Sequence, residues 1–96
     1  MRFLLHLTVT DPNDPEFRAG LEAERAKAAE FLHSGTWEAF YAPEDGSLGF
    51  YAVHHADSED ALHADLQILP LIDFLNVTVM TLQVDPLGLH SHAQGA

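Results

Sequence analysis

The sequence predicts an α+β domain with a ferredoxin-like sheet, in which strands and helices follow the order βαββαβ. Residues 2–10 alternate between two faces, one of them uniformly apolar, which is typical of a strand. Two amphipathic segments have the apolar period of helices. Between them, two short runs flank a turn signal and favour a hairpin. The length of 96 residues favours one domain, 1–96, in which residues 85–96 form a tail.

The first helix is bounded by recognisable capping signals. The run Asp-Pro-Asn-Asp-Pro at 11–15 stops the first strand, and in it Asp14 can cap a helix whose first position suits Pro15. We expect this helix to run to about Ser34 and to close at Gly35, since glycine most easily adopts the left-handed conformation that ends a helix. Its predicted buried stripe consists of Phe17, Leu21, Ala28, Phe31 and Leu32.

Residues 36–54 are predicted to form a hairpin. Apolar and aromatic residues at 36–42 and 48–54 favour two strands, and the run Pro-Glu-Asp-Gly at 43–46 favours a turn between them. The two strands are therefore expected to be antiparallel neighbours.

A second helix and a fourth strand complete the order. Ser58 can cap the helix, Glu59 and Asp60 favour its N-terminus, and Pro70 ends it. The last strand is predicted at residues 77–84. The buried stripe of the second helix consists of Leu62, Leu66 and Leu69.

This topology leaves one face of the sheet without cover, because both helices pack on the same side. The strands carry apolar side chains on both faces, and a domain this small has little core to spare for a pocket. We therefore expect a homodimer in which two sheets pack face to face as a dimeric α/β barrel that holds a small-molecule substrate.

The composition excludes several classes of function. Fifteen Asp and Glu residues against four Lys and Arg give a formal net charge of −11, which would repel nucleic acids and anionic membranes. A carboxylate ligand would need a local cation, for which the chain offers Arg2, Arg18, Arg25 and Lys27. The absence of cysteine excludes disulfides and thiolate catalysis. With no apolar run of about 18 residues and no signal-peptide pattern, we expect a cytoplasmic protein.

Glu24 interrupts the apolar stripe of the first helix. It stands at helical spacing between Leu21 and Ala28, at a position that faces the sheet. Because desolvation favours the neutral acid, the pKa of this carboxyl is expected to be raised and the group poised for proton transfer near neutral pH. The alternative is a structural acid, which either lies at the edge of the stripe or pairs with Arg25, Arg2 or a strand hydroxyl.

The spacing of the seven histidines is not typical of a metal site. His54 and His55 are strand neighbours that point to opposite faces, and His90 and His92 lie in a polar tail. We therefore predict no metal. The chain also has no glycine-rich phosphate loop and no hydrolase motif, so any catalysis is expected to be acid–base chemistry without a cofactor.

His6 and His54 are interpreted as polar members of a pocket. Either side chain could hold a carboxylate or orient Glu24. The alternative for each is a histidine that is bonded to the backbone or exposed at the mouth of a barrel.

Several motifs resemble those of the muconolactone Δ-isomerases and the related chloromuconolactone dehalogenases. The resemblance extends from the first strand to Asp85-Pro86, and Glu24 stands where that family has its proton-shuttling glutamate, eleven residues before Gly35. It implies a cofactor-free dimeric barrel that assembles into larger rings and moves a lactone double bond by proton transfer in the degradation of aromatic compounds. The motifs are the helix with its seam glutamate, Gly35-Thr36-Trp37, Ala61-Leu62-His63 and Leu69-Pro70-Leu71.

Some pocket positions differ from the family pattern. Leu48 and Phe50 stand where the family has a tyrosine and an asparagine, and His6 stands where it has a lysine. Val84 and Asp85 replace an Arg-His pair. Fewer polar and cationic groups imply a larger, less charged lactone, enone or aromatic metabolite as the substrate.

The resulting hypothesis is an isomerase in which Glu24 moves the proton and His6 or His54 steadies the dienolate. Leu48 and Phe50 are expected to contact the substrate. Two alternatives stay open: a non-catalytic small-molecule-binding barrel and, on fold analogy alone, a cofactor-independent oxygenase or cyclase.

Overall fold

The computed structural model describes residues 1–45, 49–83 and 87. No helix in this part of the chain is long and apolar enough to cross a membrane. Several of the residues discussed above lie outside the described residues, namely Gly46, Leu48, Val84, Asp85, Pro86, His90 and His92. The elements are β1 (Arg2–Val9), α1 (Pro15–Ala19), α2 (Leu21–Ser34), β2 (Trp37–Tyr41), β3 (Gly49–His55), α3 (Glu59–Leu66), a 3-10 turn (Ile72–Phe74) and β4 (Leu75–Leu82).

All four strands form one antiparallel sheet in the order β2-β3-β1-β4, which confirms the predicted ferredoxin-like arrangement. In the central pair, Leu5 lies opposite Ala52 and His6 lies opposite Tyr51. Because side chains alternate, Leu5 and Ala52 point into the core, whereas His6 and Tyr51 point to the other face. Strand β4 begins two residues before its predicted start, because it pairs with the whole length of β1.

The single first helix of the prediction is divided into α1 and α2 at Gly20. As predicted, Asp14 caps α1, with its Oδ1 accepting the Glu16 N–H at 2.8 Å, and Gly35 closes α2 with a φ of 83°. A Cβ at position 20 would lie 2.5 Å from Leu71 Cδ2. Glycine at the break therefore permits a close approach of the segment that follows α3.

A β-bulge shapes the pairing of β2 with β3. The register shifts by one residue between Trp37 and Ala39, so that Glu38 is the additional residue. Trp37 and Phe40, three residues apart, consequently lie on the same face of the sheet and stack on each other.

The helices cover one face of the sheet only. Phe31 of α2 and the α3 residues Leu62 and Leu66 pack with the buried side chains of β1. The opposite face keeps exposed aromatic and apolar side chains and is called the open face below. The open face consists of the outward residues of the four strands, among them Leu4, His6, Tyr41, Tyr51, Val53 and Met80.

Candidate active site

A cavity of about 510 Å³ lies between the helices and the covered face of the sheet. Its wall is almost entirely hydrocarbon and aromatic, and among the described residues only Glu24 and Arg25 bring ionisable groups to it. A smaller cavity of about 220 Å³ is also lined by Arg18, and it shares four residues with the first, namely Val9, Phe17, Leu21 and Phe50. The larger volume is in the range that accommodates a small organic molecule.

Glu24 enters the cavity wall from the first turn of α2. Its carboxyl is half-buried, and Oε2 accepts the backbone N–H of Leu71 at 2.9 Å. Burial raises the pKa of the Glu24 carboxyl above its ordinary value of 4.5, and the hydrogen bond from Leu71 opposes part of that rise. Since desolvation has the larger effect, the ionised carboxylate is a stronger base here than on the surface.

The donor to Glu24 belongs to the Leu69-Pro70-Leu71 segment. Leu71 is buried against Gly20, and Leu69 belongs to the core. A backbone N–H in a segment packed this way has a fixed direction, which a flexible side-chain donor would not have. The Leu-Pro-Leu motif therefore orients Glu24, a role that the sequence alone did not indicate.

Three aromatic rings continue the wall along β2 and β3. Trp37 stacks on Phe40 with ring centroids 5.4 Å apart, and Phe40 stacks on Phe50 at 5.3 Å. Phe31 meets Trp37 edge-to-face at 5.2 Å. The predicted contact residue Phe50 does line the cavity, and the structure adds Trp37 and Phe40 to it.

His54 lies behind this aromatic wall and does not line the cavity, which corrects the predicted pocket role. Its side chain is fully buried. Nδ1 accepts the indole N–H of Trp37 at 2.9 Å, and Nε2 lies 2.9 Å from Asp65 Oδ2. Because both ring nitrogens are engaged, His54 has no free nitrogen for a substrate or for Glu24.

His6 lies on the open face, and the sheet separates it from Glu24. Its neighbours Leu5 and Leu7 point into the core, so alternation directs the imidazole the other way. The ring stacks on Tyr51 with centroids 4.4 Å apart and planes nearly parallel. The prediction that His6 shares a pocket with Glu24 is therefore wrong for this cavity.

His55 is the open-face counterpart of His54. Its Nε2 lies 3.3 Å from Glu38 Oε2, and the Nε–H of Arg2 donates to the same oxygen at 3.2 Å. These contacts lower the pKa of the Glu38 carboxyl. Within residues 1–45 and 49–83, no three His, Asp or Glu side chains come together in a way that could hold a metal ion.

Arg25 is a cavity residue that the sequence analysis named as one of four cations and as a possible partner of Glu24. Arg2, Arg18 and Lys27 each donate to a nearby side chain, whereas Arg25 has no side-chain partner in the described part of the chain. Of the four, Arg25 alone lines the larger cavity. Its position next to Glu24 in the sequence was the available signal.

Comparison with known proteins shows similarity to one family and to solved structures. A protein-family model described as muconolactone delta-isomerase matches residues 1–92. A crystal structure of muconolactone isomerase is similar, with 31% identity, a TM-score of 0.78 and coverage of 94% of this chain and 96% of that chain. The 5-chloro-2-hydroxyhydroquinone dehydrochlorinase from Burkholderia phenoliruptrix AC1100, solved with 2,5-dihydroxybenzoquinone, is 15% identical, with a TM-score of 0.60 and coverage of 86% and 94%, a likeness of fold alone. No curated protein sequence matches.

Proposed function

The chain belongs to the muconolactone Δ-isomerase family, and from this premise we propose that it moves a carbon–carbon double bond in a small lactone or related carbonyl compound by acid–base proton transfer. The observation that carries the proposal is the environment of Glu24. A half-buried carboxyl with a raised pKa is held by Leu71 in the wall of an otherwise apolar cavity.

A single carboxyl is sufficient for this reaction. Glu24 would remove a proton from the carbon beside the carbonyl, and the electron pair left behind would move into the conjugated system to give a dienolate. The protonated Glu24 would then return the proton to the vinylogous carbon. The raised pKa favours both steps, because it brings the two protonation states of Glu24 closer in free energy near neutral pH.

The hydrogen bond from Leu71 supports this assignment. It occupies Oε2 of Glu24, which leaves Oε1 as the oxygen for the transferred proton. Because the donor is a backbone N–H in a buried segment, the carboxyl does not need to reorganise between removing and returning the proton.

The cavity wall favours a substrate with an apolar ring and one anionic substituent at most. Phe50 and its stacked neighbours Phe40 and Trp37 would contact the ring. Arg25 would hold an anionic substituent, since it brings to the wall a guanidinium that no side chain of the described residues pairs with. His54 and His6 are no longer candidates for steadying the dienolate in this cavity.

We also propose that a second copy of the chain covers the open face. Tyr41, Tyr51 and Met80 are exposed on it, with 65%, 39% and 59% of their surfaces accessible. Large exposed apolar and aromatic side chains in one patch favour association. A domain of 96 residues buries a limited fraction of its surface when it folds alone, and association would bury more of it.

The test is proton exchange and turnover of (+)-muconolactone, followed by NMR in deuterated water. We expect the native chain to incorporate deuterium and isomerise the lactone, and Glu24→Gln to lose about 100-fold or more of the rate while it stays folded. Glu22→Gln is the matched control, because Glu22 lies on the same helix, is exposed and does not line the cavity.

Each other result has a definite meaning. Retained turnover in Glu24→Gln would remove this residue from the mechanism. Binding without turnover by both the native chain and Glu24→Gln would identify a non-catalytic binding barrel. If neither protein binds or converts muconolactone, this lactone is rejected as the ligand.

A further inference from the structure

A chain of hydrogen bonds connects the surface of α3 with the cavity wall. It begins at Asp65, whose side chain is 35% exposed, passes through the fully buried His54 and ends at the indole of Trp37. Neither Asp65 nor His54 lines the cavity, whereas Trp37 does. The chain is therefore separate from the Glu24 and Leu71 contact but reaches the same cavity.

The hydrogen-bond partners of His54 determine which tautomer its neutral ring adopts. The indole N–H is a donor only, so Nδ1 of His54 accepts and carries no proton. The proton of the neutral imidazole then lies on Nε2 and is donated to Asp65. The other tautomer would set two N–H groups against each other at a fully buried ring, which is strongly disfavoured.

These bonds do not form a proton relay to Glu24. The indole has a single N–H, which already donates to His54, so it cannot pass a proton into the cavity. What the bonds can do is orient the ring. With its N–H engaged, Phe40 stacked on the ring and Phe31 in edge-to-face contact with it, the indole is held in one position.

Helix α3 and the segment after it thus act on two parts of the cavity. Asp65 acts on Trp37 through His54, and Leu71, six residues further on, donates to Glu24. The part of the chain from Asp65 to Leu71 therefore contacts both the support of the aromatic wall and the Glu24 carboxyl.

We propose that Asp65 and His54 are positioning residues, which hold the Trp37 indole in the cavity wall and thereby set how a ligand fits beside Glu24. The inference rests on the proposed function for the reaction itself, but ligand fit can be measured without turnover.

The first arm of the test is spectroscopic. Trp37 is the single tryptophan of the chain, so its indole N–H signal in a proton–nitrogen correlation spectrum reports this contact directly. Asp65→Ala removes the acceptor of His54, and we expect it to shift the indole signal and to speed its exchange with solvent about tenfold. Asp65→Asn keeps an oxygen that can accept from Nε2 and should stay near the native spectrum. Asp57→Ala, which removes an exposed carboxylate before α3, is the control.

The second arm measures ligand fit with two probes, (+)-muconolactone and phenylacetate. Binding is followed by the fluorescence of Trp37. We expect Asp65→Ala to weaken the binding of both probes, and to raise KM for muconolactone, about tenfold, with kcat changed by about twofold or less. Asp65→Asn should restore most of the affinity, and Asp57→Ala should have none of these effects.

An indole signal that does not respond to Asp65→Ala would overturn the inference. A shifted signal with unchanged affinity for both probes would overturn it as well, and so would a native protein that binds neither probe. Failure of the proposed function gives a different pattern. Phenylacetate is not isomerised, because moving a double bond of its ring would destroy the aromaticity, so binding that depends on Asp65 without turnover of muconolactone would support the positioning role and reject isomerisation.

Discussion

The two faces of the sheet place the same residue type in opposite environments. On the covered face, His54 is fully buried and both of its ring nitrogens are hydrogen-bonded. On the open face, His6 stacks on Tyr51, and His55 lies beside Glu38. His54 and His55 are neighbours in the sequence, so strand alternation alone decides which of them enters the core.

This difference indicates which function each face can support. A polar group under the helices is shielded from water, so its hydrogen bonds are strong and its direction is fixed, as seen at Glu24 and His54. The open face carries exposed aromatic rings and an ion pair, which suit contact with another surface. We therefore expect chemistry to depend on the covered face and assembly on the open face.

The largest effect is expected from Val53→Glu on the open face. Val53 lies between Leu4 and Ala39 on the neighbouring strands, so a carboxylate there would have to be buried in both copies of a symmetric dimer. We expect the variant to elute with the mass of a single chain in size-exclusion chromatography with light scattering. Ile68→Glu, at an exposed position after α3, is the matched control and should keep the native mass. A variant with the native dimer mass would show that the interface lies elsewhere, and a monomeric native chain would reject the dimer.

The next effect compares the two histidines directly. His54→Phe leaves the Trp37 N–H without its acceptor in the core, and we expect the free energy of unfolding to fall by about 1–3 kcal/mol. His6→Phe keeps an aromatic ring on Tyr51 and should change that free energy by about 0.5 kcal/mol or less. Urea denaturation at one fixed protein concentration measures both. Equal losses would mean that the two faces do not differ in this way.

A smaller effect is expected at the cation of the cavity. Arg25→Gln should raise KM for muconolactone about tenfold, because the acetate group of that lactone loses a charged partner, while kcat stays close to native. The methyl ester should be insensitive to the substitution. Lys27→Gln on the same helix removes a cation that pairs with Glu30 and should leave KM unchanged. A fall in kcat at constant KM would instead place the guanidinium on the dienolate.

Much of the covered face was predictable because its signals are local. The order of elements, the cap at Asp14, the closing Gly35 and the inward position of Glu24 follow from periods and caps within one segment. The break at Gly20 was missed, since only the approach of Leu71 from a distant segment explains it.

The face of each histidine was harder to assign, because it depends on contacts between segments. The two-residue period separates His6 from Leu5 but does not say which face the helices cover. The bulge at Glu38 and the bond between His54 and Asp65 join residues on different elements, which no local pattern encodes. Arg25 could be named from the sequence as one of four cations and as a possible partner of Glu24, but its place in the cavity wall could not be predicted.

The smallest effect concerns the cost of keeping Glu24 ionised under the helices. Burial raises the folded-state pKa of its carboxyl above 4.5. Protonation of Glu24 therefore stabilises the folded chain relative to the unfolded chain. This stabilisation is fully present below the unfolded-state pKa and is lost as the pH rises through the folded-state pKa. Glu24→Gln mimics the neutral acid at every pH, so it should resist urea slightly better than the native chain at pH 8, and the difference should vanish as the pH falls towards 4.5. The native kcat/KM should rise over the same interval, since the base acts only when ionised. Lower stability of Glu24→Gln at pH 8, with Glu22→Gln unchanged, would instead show that the carboxylate is a structural group in this fold.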